Sequence, residues 1–447
     1  MARRPKENCP LCPPALGADV HAEVWYAYQE SQDFEIAAHE ASQHGSECTP
    51  AQARKHFQYH RPVQPAPKGN LRRGHALQRA QQLPERLQAM LLLVSRVPGL
   101  SGSQLAELFY WNGTEKQWDS ARNACYRDLN RLMWGGFVYR YYPPAQPTPG
   151  SARRGRQENL SLYFLGRDGI PYVEVHDGYE PQRGDWIGDV GTLGGVEAVF
   201  ADHDAAEIVA ALSRQATTMR ANNMLLAVDN LAVSVTFQPA NWFGSKRAAV
   251  HFHDVLTRAR SRVQPSGLAA VGIDVPAMGR SLLAPFFYEY VSGSKPAEHT
   301  AEKLLRYAEL RMAGALGERF PDLRRGSWIP PILVVCRDAD RVAEIQASVA
   351  KTVARHELLR DGRAPVAVIA DEQTVASHGL SGHCWASLWD TSSEPRRHQL
   401  VKVLTAEARG LMGALDKDTV LSCEAGAATR QDPGGAGRAN ALPAAAA

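Results

Sequence analysis

Cys9-Pro-Leu-Cys12 sets two thiols at the spacing that lets both thiolates grip one tetrahedral zinc ion. Thr49-Pro50 reads as a helix cap followed by a first-turn proline, opening the segment PAQARKHFQYH. That helix brings His56 and His60 onto one face at i, i+4, so Cys9, Cys12, His56 and His60 would complete a structural zinc site. His44 and Cys48 are competing ligands. A different chemistry belongs to EKQWDSARNACYRDLNRLMW, residues 115–134. At helical spacing, Lys116, Ser120, Asn123, Arg127 and Asn130 share one face, with Arg122 and Arg131 beside it. Arg and Asn are the side chains that pair bidentately with guanine and adenine edges in a major groove. Arg153, Arg154 and Arg156 form a further basic cluster, suited to phosphates or a narrow minor groove.

The elements around these residues must position them. Residues 84–97 start with a proline at a first-turn position and carry a long apolar face. Residues 101–111 follow Pro-Gly with cap-type serines and place Leu105, Leu108 and Phe109 on one side. In the third helix Trp118, Ala121, Cys125, Leu129 and Leu132 recur at steps of three and four, which predicts a core stripe opposite the polar face. Gly135-Gly136 stops it. Strands are expected at 137–142 and 160–166, joined by the segment that holds the three arginines. Three helices and a hairpin with a basic tip predict a winged helix-turn-helix over 76–175, with double-stranded DNA as the partner.

The chain has 447 residues, 44% hydrophobic and 22% charged, which suits two or three domains and excludes collagen-like, coiled-coil and wholly disordered chains. The net charge of +3 conceals an asymmetry: residues 53–156 hold 17 Lys/Arg against 5 Asp/Glu, inside an otherwise acidic chain. Such a block is the electrostatic footprint of a polyanion-binding module. No apolar run approaches a membrane span and the start, MARRPKENCP, suits no signal peptide, so a cytoplasmic protein without a membrane partner is expected. Seven scattered cysteines favour metal binding or packing over a disulfide scaffold. The expected organisation is a small Cys/His helical domain at 1–60, a Pro/Gly-rich basic linker at 61–75, the winged helix at 76–175, and a domain of mixed helices and strands at 195–422. A tail at 424–447, with 16 Ala, Gly or Pro, should be disordered.

Several motifs occur in a fixed order: YRDLNRLMWGGFVYR (126–140), YFLGRDGIPYV (163–173), MLLAVDNLAVSV (224–235), PFFYEYVSGSKPAEHTAEKLLRY (285–307) and IPPILVVCRDADR (329–341). The series resembles the replication-relaxation family of bacterial plasmids and integrative elements. The resemblance implies an α/β restriction-endonuclease-like C-terminal domain similar to the PD-(D/E)XK nucleases. In such a site Asp274 and Glu289 would hold Mg²⁺ and Lys303 would orient the attacking water, with Tyr307 one turn further on. This chain departs from the family pattern: valine stands at Val291 where a second acid is usual, and Asp274 precedes Val-Pro. The expected fold is therefore a multi-domain, α-rich chain with a zinc-type helical domain, a winged helix and a nuclease-like domain that is either active or degenerate. The expected function is duplex DNA binding in the replication, transfer or control of a plasmid or mobile genetic element, with self-association into a homodimer also open. The alternatives are a Mg²⁺-dependent endonuclease or nickase, and a transcriptional regulator with a non-catalytic C-terminal domain.

Overall fold

A computed structural model of the chain describes residues 11, 24, 34–59, 69–141, 161–178, 196–228, 230–293, 295–324, 328–356, 364–390, 392, 396–410 and 421. Two short helices, α1 (Phe34–Gln43) and α2 (Pro50–Tyr59), come first, and then α3 (Gly69–Gln81) and α4 (Glu85–Arg96). A short strand β1 (Leu100–Ser101) leads into α5 (Gly102–Phe109) and α6 (Trp118–Trp134), followed by β2 (Val138–Tyr141) and β3 (Leu162–Leu165). The three strands form one antiparallel sheet in the order β1-β3-β2. Helix α7 (Ile170–Asp177) and the long helix α8 (Val196–Ala221) connect this unit to the rest of the chain.

The second half of the chain forms a nine-stranded sheet. Its main path runs β14 (Arg397–Gln399), β13 (His383–Ser387), β12 (Ala367–Asp371), β11 (Ile332–Cys336), β10 (Arg280–Val291), β9 (Gly267–Val275), β5 (Leu231–Phe237), β4 (Leu226–Val228), and β6 (Phe243–Gly244) pairs with β9 off that path. The β10–β11 and β11–β12 pairs are parallel, and the other neighbours are antiparallel. A separate hairpin joins β7 (Val250–His253) to β8 (Arg260–Val263).

Period-two alternation along β10 sends Ala284, Phe286 and Tyr288 into one apolar core and Leu283, Phe287 and Val291 into another. The second core is closed by the short helices α9 (Ser245–Ala248) and α11 (Leu316–Arg319), which contribute Ala248 and Leu316, and by α10 (Ala297–Ala313) and α12 (Ala339–Arg355), which contribute Leu304, Tyr307, Ile345 and Val349. The first is continuous: it runs from Leu87, Leu105 and Leu129 of the helical unit through Ile208 and Leu212 of α8 to Val271, Phe286 and Trp385 of the sheet.

This architecture corrects the expected fold class. The chain is not α-rich, because its apolar runs pair into one large curled mixed sheet. Nor does the sheet resolve into a separate restriction-endonuclease-like domain, since one hydrophobic core is shared with the helical unit. The zinc-type domain is corrected too: α1 and α2 pack Ala37, Ala38, Ala41, Cys48 and Ala53 together, with Trp134 of α6 against them, and no zinc site is shown among the described residues. Among the described residues no helix is long and apolar enough to cross a membrane.

A buried charge network ties the halves together. Asp177, at the end of α7, accepts hydrogen bonds from both Arg96 of α4 and Arg247, which lies beyond β6 in the sheet half. Arg247 also donates to Ser95 Oγ, and Arg96 to the Ala240 carbonyl. Burial alone would push the Asp177 carboxyl up, but the Arg96 hydrogen bond and the charges of Arg247 and Arg96 outweigh it and hold it below its ordinary value.

Candidate functional site

Helix α6 is held by its apolar stripe. Ala121, Cys125, Leu129 and Leu132 are buried, and burial pushes the Cys125 thiol up, so it packs as a neutral group. The helix ends where Gly136 takes a left-handed conformation, φ +71°, while Phe137 N donates to the Leu132 carbonyl at 2.9 Å. That six-to-one bond satisfies a carbonyl the helix would leave unpaired, and it turns the chain into β2.

Helix α5 forms the platform beneath it. Ser101 and Gln104 make a reciprocal capping box at its start. A Cβ on Gly102 would lie 2.6 Å from the Tyr126 ring, so α5 and α6 approach as closely as they do only because residue 102 lacks a side chain. The opposite side of α5 is bound to α8: Arg214 grips Glu107 through two bonds of 3.1 and 3.0 Å, and Gln104 donates to Glu207 at 2.8 Å. The helix pair is thereby mounted on the sheet half of the chain.

The polar face of α6 points outward. Ser120, Asn123, Arg127 and Arg131 are exposed and Asn130 is half-buried, while Lys116, also exposed, lies in the 3₁₀ turn Glu115–Gln117 just before the helix. Helix α6 carries two acids, and both are engaged. Asp128 accepts from the Tyr110 hydroxyl at 2.5 Å, beneath the Arg86 guanidinium, which lies 4.7 Å over the Tyr110 ring. Asp119 pairs with Arg122 at 3.2 Å. Among the described residues no carboxylate pairs with Lys116, Arg127 or Arg131. A solvated helix face would intersperse both signs, whereas this one presents free cations and amides. Arg153, Arg154 and Arg156, between β2 and β3, lie outside the described residues. Sequence reasoning missed the Tyr110–Asp128 bond, which ties that carboxylate to the end of α5. An Asp among Arg and Asn on one helix was its only signal.

The residues named for metal-dependent cleavage are divided. Lys303 and Tyr307 of α10 meet Glu289 of β10: Lys303 Nζ lies 2.5 Å from Oε2, and the Tyr307 hydroxyl donates to Oε1 at 2.6 Å. Burial, then the charge and hydrogen bond of Glu289, hold the Tyr307 phenol well above its ordinary value, so it remains a donor. Asp274 is elsewhere. It pairs across the β9–β10 hairpin with Ser281, whose hydroxyl it accepts, and lies 3.4 Å from the Ser234 hydroxyl. Ser281 and Glu289 point to the same face of β10, but the strand between them spans about 26 Å. Asp274 and Glu289 therefore cannot share a magnesium ion, and the Asp274–Glu289–Lys303 site is corrected to a Glu289–Lys303–Tyr307 cluster.

Of the expected zinc ligands, Cys9, Cys12 and His60 lie outside the described residues, while His56 is buried on α2. Among the described residues no group of three or more His, Cys, Asp or Glu side chains is placed to hold a metal ion. No family model, curated protein or solved structure matches the chain.

Proposed function

We propose that the chain is an intracellular, double-stranded-DNA-binding protein that reads base edges with the polar face of α6. The observation that carries this reading is the exposed row of Asn123, Arg127 and Arg131 on a rigidly mounted helix, with Lys116 in the turn before it; none of the three cations pairs with a carboxylate among the described residues. A helix of this diameter fits a major groove, and its short antiparallel sheet supports the winged-helix reading of 76–175. The sheet half, lacking a shared acid pair, acts as scaffold and interaction platform. The order of motifs that resembles the replication-relaxation family supports a setting in the replication, transfer or control of a plasmid or mobile element.

The test is duplex binding by the full chain across a salt series, compared with the Lys116→Ala/Arg127→Ala/Arg131→Ala variant. Each phosphate that is no longer neutralised lowers the slope of log K against log salt by about 0.9, so the triple variant should bind more weakly with a flatter slope. Equal affinity and slope in the two proteins would refute the role of α6.

A further inference from the structure

The β7–β8 hairpin carries a second cationic face far along the chain from α6. Its buried side places Val250, Phe252 and Val263 in the second core. Its outer side is the row His251, His253, Arg260 and Arg262, all exposed. The register sets His251 opposite Arg262 and His253 opposite Arg260. No acid lies on this row. Among the described residues no carboxylate pairs with Arg258, Arg260 or Arg262. Asp254 braces the tip, its carboxylate accepting from Leu256 N at 2.8 Å, Thr257 N at 2.6 Å and the Thr257 hydroxyl at 3.0 Å. Burial, then the charges of Arg262, Arg260 and Arg319, hold the His251 imidazole below its ordinary value, so the arginines carry the charge of the row.

The tip adds two independent observations. Leu256 is 74% exposed and Val255 43%, an apolar pair projecting at the end of a basic ribbon. Arg258 adopts φ +60°, a left-handed conformation that favours glycine or asparagine. The other described non-glycine residues with positive φ are both asparagines, Asn223 and Asn230. An arginine held in a conformation the backbone disfavours, beside an exposed apolar pair, is the kind of outlier that collects at binding sites.

The geometry points to the hairpin Val250–Val263 as a second contact with duplex DNA, its arginines on backbone phosphates and Val255–Leu256 wedged into a minor groove. Ribbons that enter minor grooves combine cations, arginine above all, with an apolar wedge that unstacks a base step. The cations of this ribbon, Arg258, Arg260 and Arg262, are all arginines, which favours a groove over a lipid surface, where lysine serves equally well as a diffuse charge. The inference rests on the reading of the chain as a DNA-binding protein only for its choice of ligand.

The test uses the full chain and a labelled A·T-rich duplex. Arg260→Ala/Arg262→Ala should weaken binding roughly tenfold and lower the salt slope by about two, both alone and in the Lys116→Ala/Arg127→Ala/Arg131→Ala background. Arg258→Gly should leave thermal stability equal or higher, because it relieves the left-handed backbone, yet should weaken duplex binding; a purely structural role would not separate the two. Netropsin, which fills the minor groove, should weaken the wild type more than the double variant. Should the α6 reading alone fail, the triple variant would bind normally while the hairpin variants remained weak. Unchanged duplex affinity and slope in Arg260→Ala/Arg262→Ala would overturn the inference. So would an intact duplex affinity accompanied by abolished binding to phosphatidylserine vesicles, which would assign the hairpin to a membrane.

Discussion

Tyr307 donates its phenol to Glu289 Oε1 at 2.6 Å, across the junction between α10 and the central strand β10, and both groups are buried. With Lys303 on the other oxygen, the carboxylate is occupied on both sides. A buried carboxylate closed in this way fixes the helix against the sheet.

Removing that carboxylate should therefore cost stability. Glu289→Ala leaves a buried phenol and a largely covered ammonium without their acceptor, which should destabilise the fold by about 3 kcal/mol. Glu289→Gln keeps an acceptor for Tyr307 and should cost about half as much. Urea denaturation measures both. Duplex binding by folded Glu289→Gln should equal the wild type, and a tenfold weakening there would return the cluster to the binding surface.

Asp177 should couple the two halves of the chain. Asp177→Asn leaves Arg96 and Arg247 buried with half their compensation, so we expect destabilisation by about 3 kcal/mol at neutral pH. The pH dependence has a definite sign. The folded-state pKa lies below the ordinary 3.8, so the contribution is complete above that value and is lost as pH falls through the folded-state pKa. The stability difference between wild type and variant should accordingly be flat from neutral pH to about pH 5 and shrink in stronger acid. A difference that grew on acidification would contradict the network.

Because one core spans helical unit and sheet, thermal unfolding of the wild type should show one cooperative transition involving both. Tryptophan fluorescence reports both halves, from Trp118 and Trp134 in α6 to Trp242 and Trp385 in the sheet region. A separate early transition of the α6 tryptophans, seen in single-tryptophan variants, would mean that the two halves fold independently.

Gly102→Ala should push the Tyr126 ring and tilt α6. Overpacking of this kind costs about 1–3 kcal/mol. Tyr126→Leu should recover part of it, giving a favourable coupling in a double-mutant cycle. An additive cycle would mean that the close approach of α5 and α6 is not set by this pair.

Local patterns were legible in the sequence where a single segment carries its own signal. The stripe Ala121, Cys125, Leu129, Leu132 and the glycine pair after Trp134 define α6 and its end without reference to any other part of the chain. Long-range relationships were not legible. Arg96, Asp177 and Arg247 meet across 81 and 70 residues, and no periodicity links them. Asp274 and Glu289 were paired only by what the resemblance to the nuclease pattern implies. Their separation follows from the tight turn at 276–279, which pairs Asp274 with Ser281 and leaves Glu289 at the far end of the hairpin. The single large sheet escaped for the same reason: strand order is a property of pairing, not of composition.

The central claim is that α6 reads bases. Selection of bound duplexes from a random pool, run in parallel with wild-type chain and the Asn123→Ala and Arg127→Ala variants, tests it most directly. The wild type should enrich a defined site, and each variant should relax one or two positions of it, at a cost of roughly 1–3 kcal/mol for the wild-type site. Enrichment of the same site with the same preference at every position in all three proteins would contradict base reading by α6.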